Sequence, residues 1–241
     1  MRYLTQVVAM VLLAITAGAR WAPAEDGRVT ELTAEQARMM ARYKGPLTLE
    51  HLTRLAPDAA AALANREGEL HLTSLETISA RSATALARHR FGLELNGITR
   101  LSPKAAGALA LHEGPLILGG LTALSAETAG ALASAKGDLH LNGLTTLPVD
   151  VATALGRRAG KLSLVGVETL SPPAARELAK HKGTLNLSGL ERLSVEAAEA
   201  MGMHDGLMIL PRDTSAFPPR AVEALRARGQ WFLNKPPGAR P

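Results

Sequence analysis

A period of 23 residues runs through this chain without a slip, and it constrains the fold more than any other feature. The first leucine of each Leu-x-Leu pair stands at Leu47, Leu70, Leu93, Leu116, Leu139, Leu162 and Leu185, and Met208 and Trp231 continue the series. The second position reads Leu49, Leu72, Leu95, Leu118, Leu141, Leu164, Leu187, Leu210 and Leu233. Glycine precedes the pair at 45, 68, 114, 137, 160, 183, 206 and 229, with Phe91 beside Gly92 as the one departure. The second half of each unit keeps Ala60, Ala83, Ala106, Ala129, Ala152, Ala175 and Ala198 in register. Three residues later come Leu63, Leu86, Leu109, Leu132, Leu155, Leu178 and Met201.

Each column has a physical reading. Alternating apolar residues in Leu-x-Leu make a short, half-buried strand. Leu52, Leu55 and their equivalents carry the chain over the core edge. Ser79, Ser102, Ser125, Ser171 and Ser194 share one column, where a hydroxyl can cap a helix N-terminus. Pro57, Pro103 and Pro172 follow at N1, the helical position that tolerates proline. The Ala/Leu spacing of three puts both side chains on one helical face. Gly68 and its equivalents read as C′ residues that end the helix in the left-handed conformation. Gly97, Gly120, Gly143, Gly166 and Gly189 read as tight bends after the strand, because a phosphate cradle needs glycines clustered within one turn.

One unit cannot bury its leucines alone, so units must stack. Hydrophobic residues make up 46% of the chain but aromatics only 3%, so the shared core is a thin layer of Leu and Ala. The unit Gly160-Lys-Leu-Ser-Leu-Val-Gly-Val-Glu-Thr-Leu-Ser-Pro-Pro-Ala-Ala resembles a leucine-rich repeat, and its 23-residue length is similar to the subclass found in bacterial surface proteins. The resemblance covers residues 29–234. It departs from that subclass in lacking the helix aromatic and cysteine, and from the common repeat in lacking a column of strand-closing asparagines. It implies a binding role, since that family is mostly non-catalytic. The expected fold is therefore α/β: a leucine-rich-repeat solenoid of about nine strand–turn–helix units. A parallel sheet would form one face and short helices the other.

The first residues carry an export pattern. Arg2 supplies a basic start, Val7 to Ala17 is an apolar run, and Ala22-Pro23-Ala24 offers small residues for cleavage. That run is short for a membrane span, which needs about 20 residues, although an uncleaved anchor is the alternative. The expected divisions are a signal peptide at 1–24, an N-terminal cap helix at 25–46, regular repeats at 47–210, an irregular capping repeat at 211–234 and a flexible tail at 235–241. Thr33-Ala-Glu-Gln36 can form a capping box on the first helix. Trp231 and Phe232 would plug the far end of the core.

Cysteine is absent, which excludes disulfides, thiolate metal sites and cysteine nucleophiles. Cleavage would remove two arginines and no acid, taking the net charge from +5 to +3. Charge that is nearly balanced and dispersed, on an exported chain, argues against nucleic acid. Neither a cofactor nor a metal is expected. After cleavage we expect a monomer with no stable membrane span, periplasmic or secreted.

Function then falls to the face of the sheet opposite the helices, where alternate strand residues point. The middle strand column reads Thr48, His71, Glu94, Ile117, His140, Ser163, Asn186, Ile209 and Phe232, and the next outward column includes Asn96 and Asn142. Thr48, His71, Glu94, Asn96, Ile117, His140, Asn142, Ser163 and Asn186 are the candidate contacts for a protein, peptide or glycan. The plain alternative is that these are unselected solvent positions, and the rival function is a self-associating structural protein. His71 and Glu94 are expected as a hydrogen-bonded pair, which lacks the third group of a catalytic triad. His89, His112, His181 and His204 share a column with Arg66 and Arg158. A metal ladder there lacks carboxylates, and attraction of basic groups to helix C-termini accounts for the arginines as well.

Overall fold

Unit after unit, Leu-x-Leu becomes a strand whose N–H groups bond the next copy of itself. The computed structural model describes residues 29–226 and the backbone of 231–233. The chain begins with α1 (Ala34–Ala41) and then alternates strand and helix: β1 (Leu47–Thr48), α2 (Pro57–Ala64), β2 (Leu70–His71), α3 (Ala80–Leu86), β3 (Leu93–Glu94), α4 (Pro103–Leu109), β4 (Leu116–Ile117), α5 (Ala126–Ala133), β5 (Leu139–His140), α6 (Val149–Leu155), β6 (Leu162–Ser163), β7 (Thr169–Leu170), α7 (Pro172–Leu178), β8 (Leu185–Asn186), β9 (Arg192–Leu193), α8 (Val195–Met201), β10 (Met208–Leu210), α9 (Pro219–Arg226) and β11 (Trp231–Leu233). The main sheet has nine strands in the order β1-β2-β3-β4-β5-β6-β8-β10-β11, every pair parallel. Its register is the sequence period itself, pairing Leu47 with Leu70, Leu70 with Leu93 and so on to Met208 with Trp231. This is a leucine-rich-repeat solenoid. A second, two-stranded sheet (β7 with β9) pairs Thr169 with Arg192 where the chain crosses toward the helices.

Between the sheet and the helices lies one continuous core of Leu, Ala and a few Ile, Val and Met. Both strand leucines of the interior units are buried, as are the alanine and leucine three apart on each helix from α2 to α7. Each of the capping serines accepts from the backbone N–H three residues on: Ser79 from Ser82, Ser102 from Ala105, Ser125 from Thr128, Ser171 from Ala174 and Ser194 from Ala197. Thr33 and Gln36 close the capping box on α1. Two units have no such serine, and their N-cap positions, Ala56 and Pro148, make no side-chain cap bond. Ser102→Ala is expected to cost about 1 kcal/mol in urea unfolding, and Ala56→Ser to return a gain of similar size.

The glycines behave differently from the sequence reading. Gly68 is not a C′ residue, because α2 ends at Ala64 and its C-cap Asn65 keeps φ −84°. Only Gly45, Gly68, Gly160 and Gly183 have positive φ among the described residues. Most of the column is closely stacked: a side chain at Gly114 would meet the Phe91 carbonyl at 2.7 Å, and one at Gly68, Gly137, Gly183 or Gly206 would run into the preceding glycine's carbonyl, whereas Gly45 and Gly160 have room and are set apart by positive φ alone. The signal segment at 1–24, the expected tail at 235–241 and the Trp231 and Phe232 side chains lie outside the described residues. Among those that are described, no helix is long and apolar enough to cross a membrane.

Candidate recognition face

The open face is built by the strand positions between the two leucines. Its side chains are fixed to a backbone ladder in which Leu72 N–H donates to the Glu94 carbonyl, Leu95 to Ile117 and Leu118 to His140. Thr48, His71, Glu94, Ile117, His140 and Asn186 are half-buried, so each offers part of its surface to solvent.

The second and third strands carry a bonded cluster. His71 Nδ1 donates to Glu94 Oε2 at 2.5 Å, as the sequence spacing anticipates. His71 Nε2 lies 3.5 Å from Glu69 Oε2, which places the ring between two carboxylates. Asn96 Nδ2 donates to Glu94 Oε1, and the Asn96 carbonyl oxygen accepts from the Gly119 N–H at 2.7 Å. Glu94 is thereby held on both oxygens. The pair acquires no nucleophile in this network, and no group of three or more His, Cys, Asp or Glu side chains among the described residues is placed to hold a metal ion.

Further along, Asn142 repeats what Asn96 does. Its Oδ1 accepts from the Val165 N–H at 3.3 Å and from Ser163 Oγ at 2.8 Å. Two asparagines, two units apart, thus tie their strand ends to the unit that follows, and the one position between them in the column is Gly119. The chain still has no column of strand-closing asparagines, and these two act singly at another position. Asn186 Oδ1 accepts from the Ser188 N–H and stays within its own turn. Ser163 differs from its neighbours: it is 2% exposed. Its hydroxyl is used inside the face, so it positions Asn142 and offers a partner no surface. Burial, and then Lys161, hold the His140 imidazole below its ordinary pKa, with Asp138 acting in opposition.

The basic column is the largest departure from the sequence reading. Arg66, His89, His112, Arg158, His181 and His204 do follow helix C-termini, but all six are buried rather than turned to solvent. Arg66 Nη1 donates to the Gly68 and Glu69 carbonyls at 2.8 and 2.6 Å, and Nη2 to that of Gly45. Arg158 donates to the carbonyls of Ala135 and Gly137. The guanidinium groups therefore bind backbone oxygens across the joint between units. A signal for this was present in the sequence. Lysine occurs at 44, 136 and 182 in the exposed neighbouring column but nowhere in this one, whose large members, Tyr43 included, are all flat.

No family model matches the chain, and a search of curated proteins also finds no match. Among solved structures it is similar to an internalin from Listeria monocytogenes, with 13% identity, a TM-score of 0.44, and coverage of 82% of this chain and 62% of that one. The chain thus spans less than two thirds of that protein's length.

Proposed function

We propose that the protein is an exported, non-catalytic scaffold that recognises a protein or peptide on the open sheet face. The observation that carries this reading is the pre-set cluster of Glu94, His71 and Asn96, continued by Ile117 and His140 on the adjoining strands. Its polar groups are oriented by bonds to one another and to the next unit's backbone, so little ordering entropy remains to be lost when a partner docks. The face is also irregular where the core is strictly periodic, which is the pattern expected if selection acts on it separately from folding. Export rests on Arg2, the apolar run from Val7 to Ala17 and the small residues at 22 and 24.

Immobilised protein is the bait for the test, presented to envelope and secreted fractions of the source cell. Glu94→Lys combined with His140→Glu reverses charge at two points of the face while leaving every core leucine in place. Partner recovery should fall by on the order of tenfold or more with the urea midpoint unchanged. Equal recovery by both baits would move recognition off this face. Recovery dominated by the bait itself, with a dimer or larger species in light scattering, would instead support self-association.

A further inference from the structure

The buried basic column divides into two stacks of the same composition. Arg66, His89 and His112 come from three consecutive units, Arg158, His181 and His204 from another three, and Ala135 separates them. The His89 and His112 rings stack 6.2 Å apart at an interplanar angle of 5°, and the His181 and His204 rings 5.8 Å apart at 28°. A few backbone oxygens accept from the imidazoles: Ala64 O from His89 Nδ1 at 3.4 Å, and Gly183 O from His204 Nε2 at 3.1 Å. His112 and His181 have neither ring nitrogen paired.

The charged and titratable groups facing these rings are almost all basic. His89 faces Arg66 and His112, and His181 faces Arg158 and His204. Asp138 faces Arg158, and the Tyr43 phenol faces Arg66. Among the described residues no member of either stack forms an ion pair with a carboxylate. A proton added to His89, His112 or His181 therefore enters a buried column that already holds a guanidinium and in which no carboxylate pairs with the ring.

We infer that the two stacks are acid-operated joints, at which neighbouring units separate when the imidazoles take up protons. Each stack spans a boundary between units, and in a solenoid every unit is held only by its neighbours. The stacked pairs lie across the boundary between β3 and β4 at His89/His112, and across that between β8 and β10 at His181/His204. At the boundary between β5 and β6 this column carries Ala135 against Arg158, which do not titrate in this range, so no stack of imidazoles crosses it.

The sign follows from linkage. Burial holds His89 and His112 below the ordinary imidazole value and His181 at about 4, with His204 and Arg158 adding to the effect on His181. The neutral rings therefore contribute fully to stability above the unfolded value near 6.5. That contribution is lost as pH falls from there toward 4.

Amide hydrogen exchange on the whole chain tests this without any partner, so the outcome is independent of the recognition reading. Protection of Leu185 and Leu187, which bond Leu207 and Ile209, should fall roughly thirtyfold between pH 7.5 and 5.0 after correction for intrinsic exchange. Leu93 and Leu95, which bond Pro115 and Ile117, should fall in the same direction, and both pairs should fall by more than Leu139 and Leu141, where His140 is the one imidazole on the strand. Replacing His89, His112, His181 and His204 together by Phe keeps flat, stacking side chains and should abolish the loss. His51→Gln, at an exposed imidazole outside both stacks, should leave it as in wild type. Uniform loss over all strands, or loss that survives the Phe variant, would overturn the inference. Should the Phe variant not fold, imidazole NMR titration of wild type decides: His181 titrating near 4 supports the joints, and titration near 6.5 refutes them.

Discussion

Gly143→Ala is expected to destabilise the protein by roughly 3 kcal/mol, whereas Gly130→Ala, the same substitution 13 residues away, is expected to stabilise it by about 0.5–1 kcal/mol. A methyl group on Gly143 would stand 2.7 Å from the Leu121 carbonyl oxygen and closer still to that of Gly119. Both obstacles are backbone of the preceding unit, which the strand ladder fixes, so neither can swing aside as a side-chain tip would. Relief requires widening the spacing between two units along the whole joint. Gly130 sits within α5, and a methyl group there meets nothing within 4 Å. The only effect left is the gain in helix propensity and the reduced freedom of the unfolded chain. Urea denaturation of the two variants beside wild type gives the comparison. Loss of stability in both would mean that glycine is needed for backbone conformation instead of for room.

That contrast also marks what the sequence could and could not deliver. A column of glycines signals that something is wrong with a side chain there, but two physical reasons give the same column. The left-handed conformation was the reading for Gly68, and it is present at that residue and three others. The stacking of one turn on the previous one accounts for the rest, and it is a property of neighbours 23 residues distant that local turn chemistry does not contain. The strands and the helix starts were legible because leucine alternation and a serine hydroxyl act within a few residues. The side of the sheet on which His71 and Glu94 meet was legible too, since alternation and register together leave one answer. Ser163 was not, because its burial depends on Asn142 reaching over from the preceding unit. The histidine column failed for a related reason. A basic residue just past a helix end is ordinarily solvated, and only comparison down the column, where flat side chains replace lysine, indicates a buried stack.

Leu141→Ala should cost about 2–5 kcal/mol and, more tellingly, should split a single unfolding transition into two. Leu141 is fully buried directly after β5, the fifth of the nine sheet strands, and its column neighbours are Leu118 and Leu164. Those neighbours cannot close over the missing volume. Leu118 N–H is tied to the His140 carbonyl and Leu164 N–H to that of Asn186, so their spacing is set by the ladder. With few aromatics in the chain, no large ring is at hand to turn into the gap. The lost contacts belong to two joints at once, and every interaction between the N-terminal and C-terminal halves passes through that region of the stack. Weakening it by a few kcal/mol leaves each half able to unfold alone, which lowers the apparent urea dependence and separates the calorimetric from the van't Hoff enthalpy. Leu49→Ala removes the same atoms from β1's unit, at the end of the sheet. It should reduce stability by fraying that end while the transition stays single, because among the described residues α1 is the one helix before it. A single, equally steep transition for Leu141→Ala would mean that cooperativity in this solenoid does not pass through nearest-neighbour contacts in the leucine core. The continuous helix-to-helix packing would then have to be what couples the halves.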